Sequence, residues 1–116
     1  MNIETYKRGA FHVVKIVRLT VGSAAEVAIE FAVRQQLENG ATAIALVFDG
    51  DATPHSRVVA LVAKCCRQAS GAGAKVCVVA PDSDLAATFQ TVGMDQVLEI
   101  YPDERYLDRE DGNSRG

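Results

Sequence analysis

The sequence is poor in cysteine and histidine, carries only a small excess of negative charge and has no long apolar run. Each shortage removes a class of function. Twelve basic residues stand against 15 acidic ones, for a net charge of -3, and no basic run is present, so the electrostatic footprint of a nucleic-acid binder is missing. No apolar stretch approaches the roughly 20 residues that span a bilayer. The opening "MNIETYKRGA" lacks an apolar h-region and meets its first charge at Glu4, so no secretory leader is expected and the predicted location is cytoplasmic. The three cysteines, Cys65, Cys66 and Cys77, are odd in number and sit in apolar surroundings, where thiols act as small hydrophobes. Neighbours on a helix point about 100° apart, so Cys65 and Cys66 suit neither a metal nor a disulfide. The histidines, His12 and His55, add no paired ligand spacing. "GAGAK" at 71–75 precedes a strand where a phosphate loop would follow one. His55 adjoins Ser56, but sequence neighbours at a helix start seldom face each other in base-to-nucleophile geometry. No catalytic set, metal or cofactor is expected.

What remains is a globular composition, 48% hydrophobic and 23% charged over 116 residues, enough for one core and one domain. "NIETYK" and "FHVVKIVRL" (11–19), joined through Arg8-Gly9-Ala10, predict a hairpin. "SAAEVAIEFAVRQQLENG" (23–40) opens on Ser23 with Glu26 three residues on, a capping-box pattern, and closes on Asn39-Gly40. Its charges Glu26, Glu30, Arg34 and Glu38 form one stripe, with a favourable Glu30 to Arg34 pair. Ala25, Ala28, Ile29, Ala32, Val33 and Leu37 form the inner face. "TAIALVFDG" (42–50) and "KVCVVA" (75–80) are unbroken apolar strands of the kind covered on both faces. Between them a helix is predicted over 57–69, burying Val58, Leu61, Val62, Cys65 and Ala69. A third helix spans 81–93, capped by Asp82 or Ser83, with Leu85 and Phe89 inward and Gly93 past its end. "QVLEIY" (96–101) is a last strand, and Pro102-Asp103-Glu104 start a short helix that brings Tyr106 and Leu107 to the sheet. The domain is placed at 1–107 and a mobile polar tail at 108–116. Buried strands alternating with amphipathic helices imply an α/β fold with a largely parallel sheet, made mixed by an antiparallel N-terminal edge strand.

Ser56 is the residue with two readings. As an N-cap its oxygen accepts from a backbone N–H, worth ~1 kcal/mol. A hydroxyl at a helix start is also well placed to carry a phosphate, because free N–H groups and the helix dipole favour a dianion there. Asp49 and Asp51 lie just upstream, Thr53 is an alternative acceptor and Arg57 is the adjacent cation, so added charge would alter this surface without unfolding the domain.

The order of pieces resembles the STAS domain of bacterial anti-sigma factor antagonists. The likeness runs from about Ile3 to Leu107 through "VVKIVRLT", "AIALVFDG", "HSRVVALVAKCCRQASGAGAKVCVVAP" and "LAATFQTVGMDQVLEIYPD". It implies a sheet of four to five strands with alternating helices and a non-enzymatic role in partner switching. The family's switch loop reads Asp, Ser/Thr, Ser/Thr, Gly, then an apolar residue, and its first hydroxyl residue is phosphorylated. Counting back from Gly73 aligns that motif with "HSRV" (55–58), which puts Ser56 at the phosphoacceptor position. His55 then stands for the aspartate, Arg57 for the second hydroxyl residue and Val58 for the glycine. The implied partners are an anti-sigma serine kinase and a PP2C-type phosphatase. They would bind a surface that includes Ser23, Asp49, Asp51, Thr53, His55, Ser56 and Arg57. A STAS scaffold that binds without phosphorylation, and a small-ligand or nucleotide site near Asp49 to Ser56, stand as alternatives.

Overall fold

The computed structural model describes residues 2–17, 23–49 and 55–109. Its elements follow the predicted order: β1 (Asn2–Arg8), β2 (Phe11–Val17), α1 (Ser23–Glu38), β3 (Ala43–Asp49), α2 (His55–Gly71), β4 (Lys75–Val79), α3 (Ser83–Thr91), a 3₁₀ turn (Met94–Gln96), β5 (Glu99–Tyr101) and α4 (Arg105–Arg109). The five strands lie in sequence order, β1-β2-β3-β4-β5. β1 and β2 are antiparallel, from Asn2 opposite Val17 to Arg8 opposite Phe11, and every later pair is parallel.

That order decides where the helices go. Each crossover from β2 to β5 advances to the adjacent strand in the same direction, and right-handed crossovers repeated in one direction put α1, α2 and α3 on the same face. The larger core lies there. Val14 and Ile16 of β2, Ile44, Leu46 and Phe48 of β3, and Val76 and Val78 of β4 meet Ile29 and Val33 of α1, Val58, Leu61, Val62, Cys65 and Ala69 of α2, and Leu85 and Phe89 of α3. The alternate residues of the same strands, among them Phe11, Val13, Ala45, Val47, Cys77 and Val79, form a smaller core on the opposite face with Tyr101 and Leu107. A strand used on both faces cannot alternate apolar with polar, which accounts for the unbroken runs in β3 and β4.

Local chemistry sets the boundaries. Asp82 is the N-cap of α3, its Oδ1 accepting from the Asp84 N–H at 2.8 Å, and Gly93 follows that helix in the left-handed region at φ 82°. Two expectations need correction. α2 begins at His55 and ends at Gly71, wider than 57–69, so Ser56 is the second residue of the helix and not the residue in front of it. Asp108 and Arg109, assigned to the polar tail, belong to α4, because Arg8 reaches the Asp108 carboxylate from β1. Of the expected tail, 110–116 lies outside the described residues.

Candidate functional site

The end of β3 and the start of α2 face the same side of the molecule as the start of α1, because parallel β2 and β3 deliver both helices from the same sheet edge. Asp49 closes β3 opposite Val17, and its side chain is 53% exposed. Lys15 Nζ, on β2, lies 3.8 Å from its carboxylate. Ser56 is exposed in the first turn of α2. Its N–H is one of the four at a helix start that have no acceptor one turn back, so the local backbone favours negative charge at this side chain.

Arg57, the next residue, is also exposed, and its Nη2 donates to Glu26 Oε2 on α1. One turn further along α1 and two turns further along α2, Lys64 Nζ lies 3.7 Å from Glu30 Oε2. The acidic stripe of α1 thus serves as one side of a two-rung ladder to α2. Of the residues expected in the partner surface, Asp49, Ser56 and Arg57 gather at this edge. Ser23 and His55 are the first residues of α1 and α2, but their side chains are not among those described, and Asp51 and Thr53 lie outside the described residues.

Two features of this region were missed in the sequence. Val27 and Phe31, 62% and 52% exposed, stand on the outer side of α1, each following a rung of the ladder. Their absence from the list of inner-face residues was the available signal. The second feature is a polar clasp on the far face of the sheet. The Tyr6 hydroxyl donates to Glu104 Oε1, Arg8 Nη1 lies 3.4 Å from the same oxygen, and Lys15 Nζ lies 3.3 Å from Oε2. Arg8 also holds Asp108 through two parallel bonds of 3.0 and 3.1 Å. Burial alone would raise the Glu104 carboxyl, but the Tyr6 hydroxyl, Lys15 and Arg8 outweigh it and hold its pKa below the ordinary value. Burial and the bond to Glu104 push the Tyr6 phenol well above its own. Lys15 serves both the clasp and Asp49, and so links α4 to the strand that leads into the 50–54 segment.

Among the described residues no three metal-ligating side chains converge, and no helix is long and apolar enough to cross a membrane. Burial pushes the Cys65 thiol up to about 12. His12, at 3.1 Å from the Gln36 side chain through Nδ1, ties β2 to α1.

This arrangement, a sequentially ordered mixed sheet with three helices on one face and a short helix on the other, is the STAS-type α/β fold. Solved anti-sigma factor antagonist structures share it. The chain superposes on SpoIIAA in its unphosphorylated form with a TM-score of 0.71, at 18% identity over 96% of this chain and 97% of the other. For the Bacillus cell fate determinant SpoIIAA in its phosphorylated form the TM-score is 0.65, at 17% identity over 94% and 99%. The protein TM1081, solved by NMR, gives 0.69 at 13% identity over 97% and 88%. No family model matches the chain, and no curated protein matches it significantly.

Proposed function

We propose that this protein is a non-enzymatic partner switch of the anti-sigma factor antagonist kind, controlled by phosphorylation of Ser56. It binds an anti-sigma factor serine kinase through the start of α2, Asp49, Arg57 and the 50–54 segment with Asp51 and Thr53, together with the start of α1 at Ser23. The supporting observation is the exposed Ser56 in the first turn of α2, in a fold shared with a protein solved both with and without its phosphate. The kinase would transfer the γ-phosphoryl group of ATP to Ser56 Oγ. The new O–P bond forms as the bond to ADP breaks, and the hydroxyl proton passes to a base on the kinase. A dianion at a helix start is compatible with the fold. In an interface that must shed its water, the same dianion costs several kcal/mol if left unpaired, so the partner is released. A PP2C-type phosphatase would restore binding, and the output is control of transcription or a related signal in the bacterial cytoplasm.

The reading is tested by incubating the chain with candidate anti-sigma kinases and ATP and comparing wild type with Ser56→Ala by intact mass. Phosphate is expected on wild type only, and its persistence on the alanine variant removes Ser56 as acceptor. One observation favours a second reading, a scaffold that binds without phosphorylation: Arg57, where the family motif has a hydroxyl residue, is already engaged with Glu26. Under that reading Ser56→Asp leaves partner capture unchanged, whereas the switch requires a clear loss.

A further inference from the structure

Ser56 and Arg57 are neighbours on α2 and their side chains leave the helix about 100° apart, so it is the length and flexibility of the arginine stem, whose guanidinium is now held by Glu26 of α1, that puts a phosphate on Ser56 within its range. Both side chains of this pair remain partly open to solvent, 44% for Arg57 and 23% for Glu26. A guanidinium on a flexible stem presents five donors in a planar fork that matches phosphate as well as carboxylate. A phosphate is the stronger competitor, with up to two charges and three acceptor oxygens. The two acceptors also repel each other when they share one cation. The rung between Lys64 and Glu30, at 3.7 Å, keeps α1 and α2 joined when the first rung opens. The other charged group described near this edge is Asp49, paired with Lys15 on β2, and His55 is the first residue of α2.

We infer that Arg57 is a charge relay between the modified residue and α1. In the unmodified protein it neutralises Glu26. With phosphate on Ser56 it transfers to the phosphate and leaves Glu26 as a free carboxylate on α1, beside the exposed Val27. A modification made on α2 is thereby displayed on α1 as well. The partner then meets a carboxylate next to an apolar side chain where it had met a neutral ion pair. This inference rests on Ser56 as the phosphoacceptor and adds the means by which its state reaches a second helix.

The test places phosphoserine at position 56 by genetic encoding, so it requires no kinase. The second pKa of the phosphate, near 6 in the free residue, is followed by phosphorus NMR in the parent, Arg57→Ala, Glu26→Gln and the double variant. All four carry His55→Gln, because an imidazole ordinarily titrates in the same range. Arg57→Ala is expected to raise the pKa by about 0.2 to 0.7, the range that exposed ion pairs support. Glu26→Gln is expected to lower it by a similar amount, and this second effect should fall by more than half once Arg57 is absent. The Val27 amide resonance should move between serine and phosphoserine with Arg57 present and stay in place without it. An equal Glu26→Gln effect with and without Arg57 would mean simple repulsion and overturn the relay, as would four identical titrations. The kinase experiment fails separately. A chain that no kinase modifies but whose titrations behave as stated loses its phosphoacceptor role and keeps the charge transfer, and the reverse pattern removes the relay alone.

Discussion

Replacing Glu104 by glutamine keeps the shape of the side chain and removes its charge from beneath three donors. Lys15 Nζ lies 3.3 Å from Oε2 and Arg8 3.4 Å from Oε1, with the Tyr6 hydroxyl on Oε1 as well, at a side chain only 20% exposed. At 3.3 Å one such charge pair is worth about 1.3 kcal/mol at the dielectric of water and about 5 at an effective dielectric near 20. The desolvation that burial imposes takes back a large part. Hydrogen bonds to charged groups contribute about 1.5 to 3 kcal/mol net, so about 2 kcal/mol is expected for Glu104→Gln at pH 7. With an unfolding entropy near 0.24 kcal/mol/K for 116 residues, scaled from about 2.1 cal/mol/K per residue, that loss lowers Tm by about 8 °C. The sign of the pH dependence is fixed by the depressed folded pKa. The contribution is complete above the unfolded value, about 4.3, and disappears as pH falls through the lower folded value. Thermal melts followed by circular dichroism at pH 7 and near pH 2.5 check both parts. A gap under about 0.5 kcal/mol at pH 7 would show that the clasp contributes no more than an exposed pair. A gap that persists at the acid end would assign the loss to packing of the amide and refute the electrostatic account.

Gly9→Ala should be costly for two independent reasons. Gly9 has φ 60°, and a Cβ there would lie 2.7 Å from the Leu107 carbonyl oxygen. The backbone conformation alone costs about 1 to 2 kcal/mol, and the clash should also loosen α4, read as faster amide exchange at Leu107. In the native protein Cys65 and Cys77 should resist alkylation at pH 8 while Cys66, half-buried, reacts slowly; rapid loss of all three thiols would contradict the packing around Cys65.

Every element that organises the sheet was legible in the sequence, since each carries its own signal over a short window. β3 and β4 are apolar without a break, α3 has its Asp82 cap and Gly93 stop, and the run from Val58 to Ala69 keeps helical spacing. The end of α2 that matters most was placed less well. His55 and Ser56 carry no apolar period, so the pattern begins at Val58 while the helix begins a turn earlier. The polar contacts were hidden for a different reason. Tyr6 and Glu104 are 98 positions apart, and Glu26 and Arg57 are 31 apart, so their pairing depends on register and crossover and on nothing local. A charged stripe predicts that α1 is wet on one side. It does not say that the wet side faces another helix.

The meeting of Gly9 with the Leu107 carbonyl, reinforced by Arg8 on Asp108, also bears on biosynthesis. The hairpin of β1 and β2 leaves the ribosome about a hundred codons ahead of the α4 residues that lock it to the sheet's far face. Until then Phe11 and Val13 have no Leu107 to cover them. The nascent domain must spend most of its translation with that apolar surface uncapped, where a chaperone can find it.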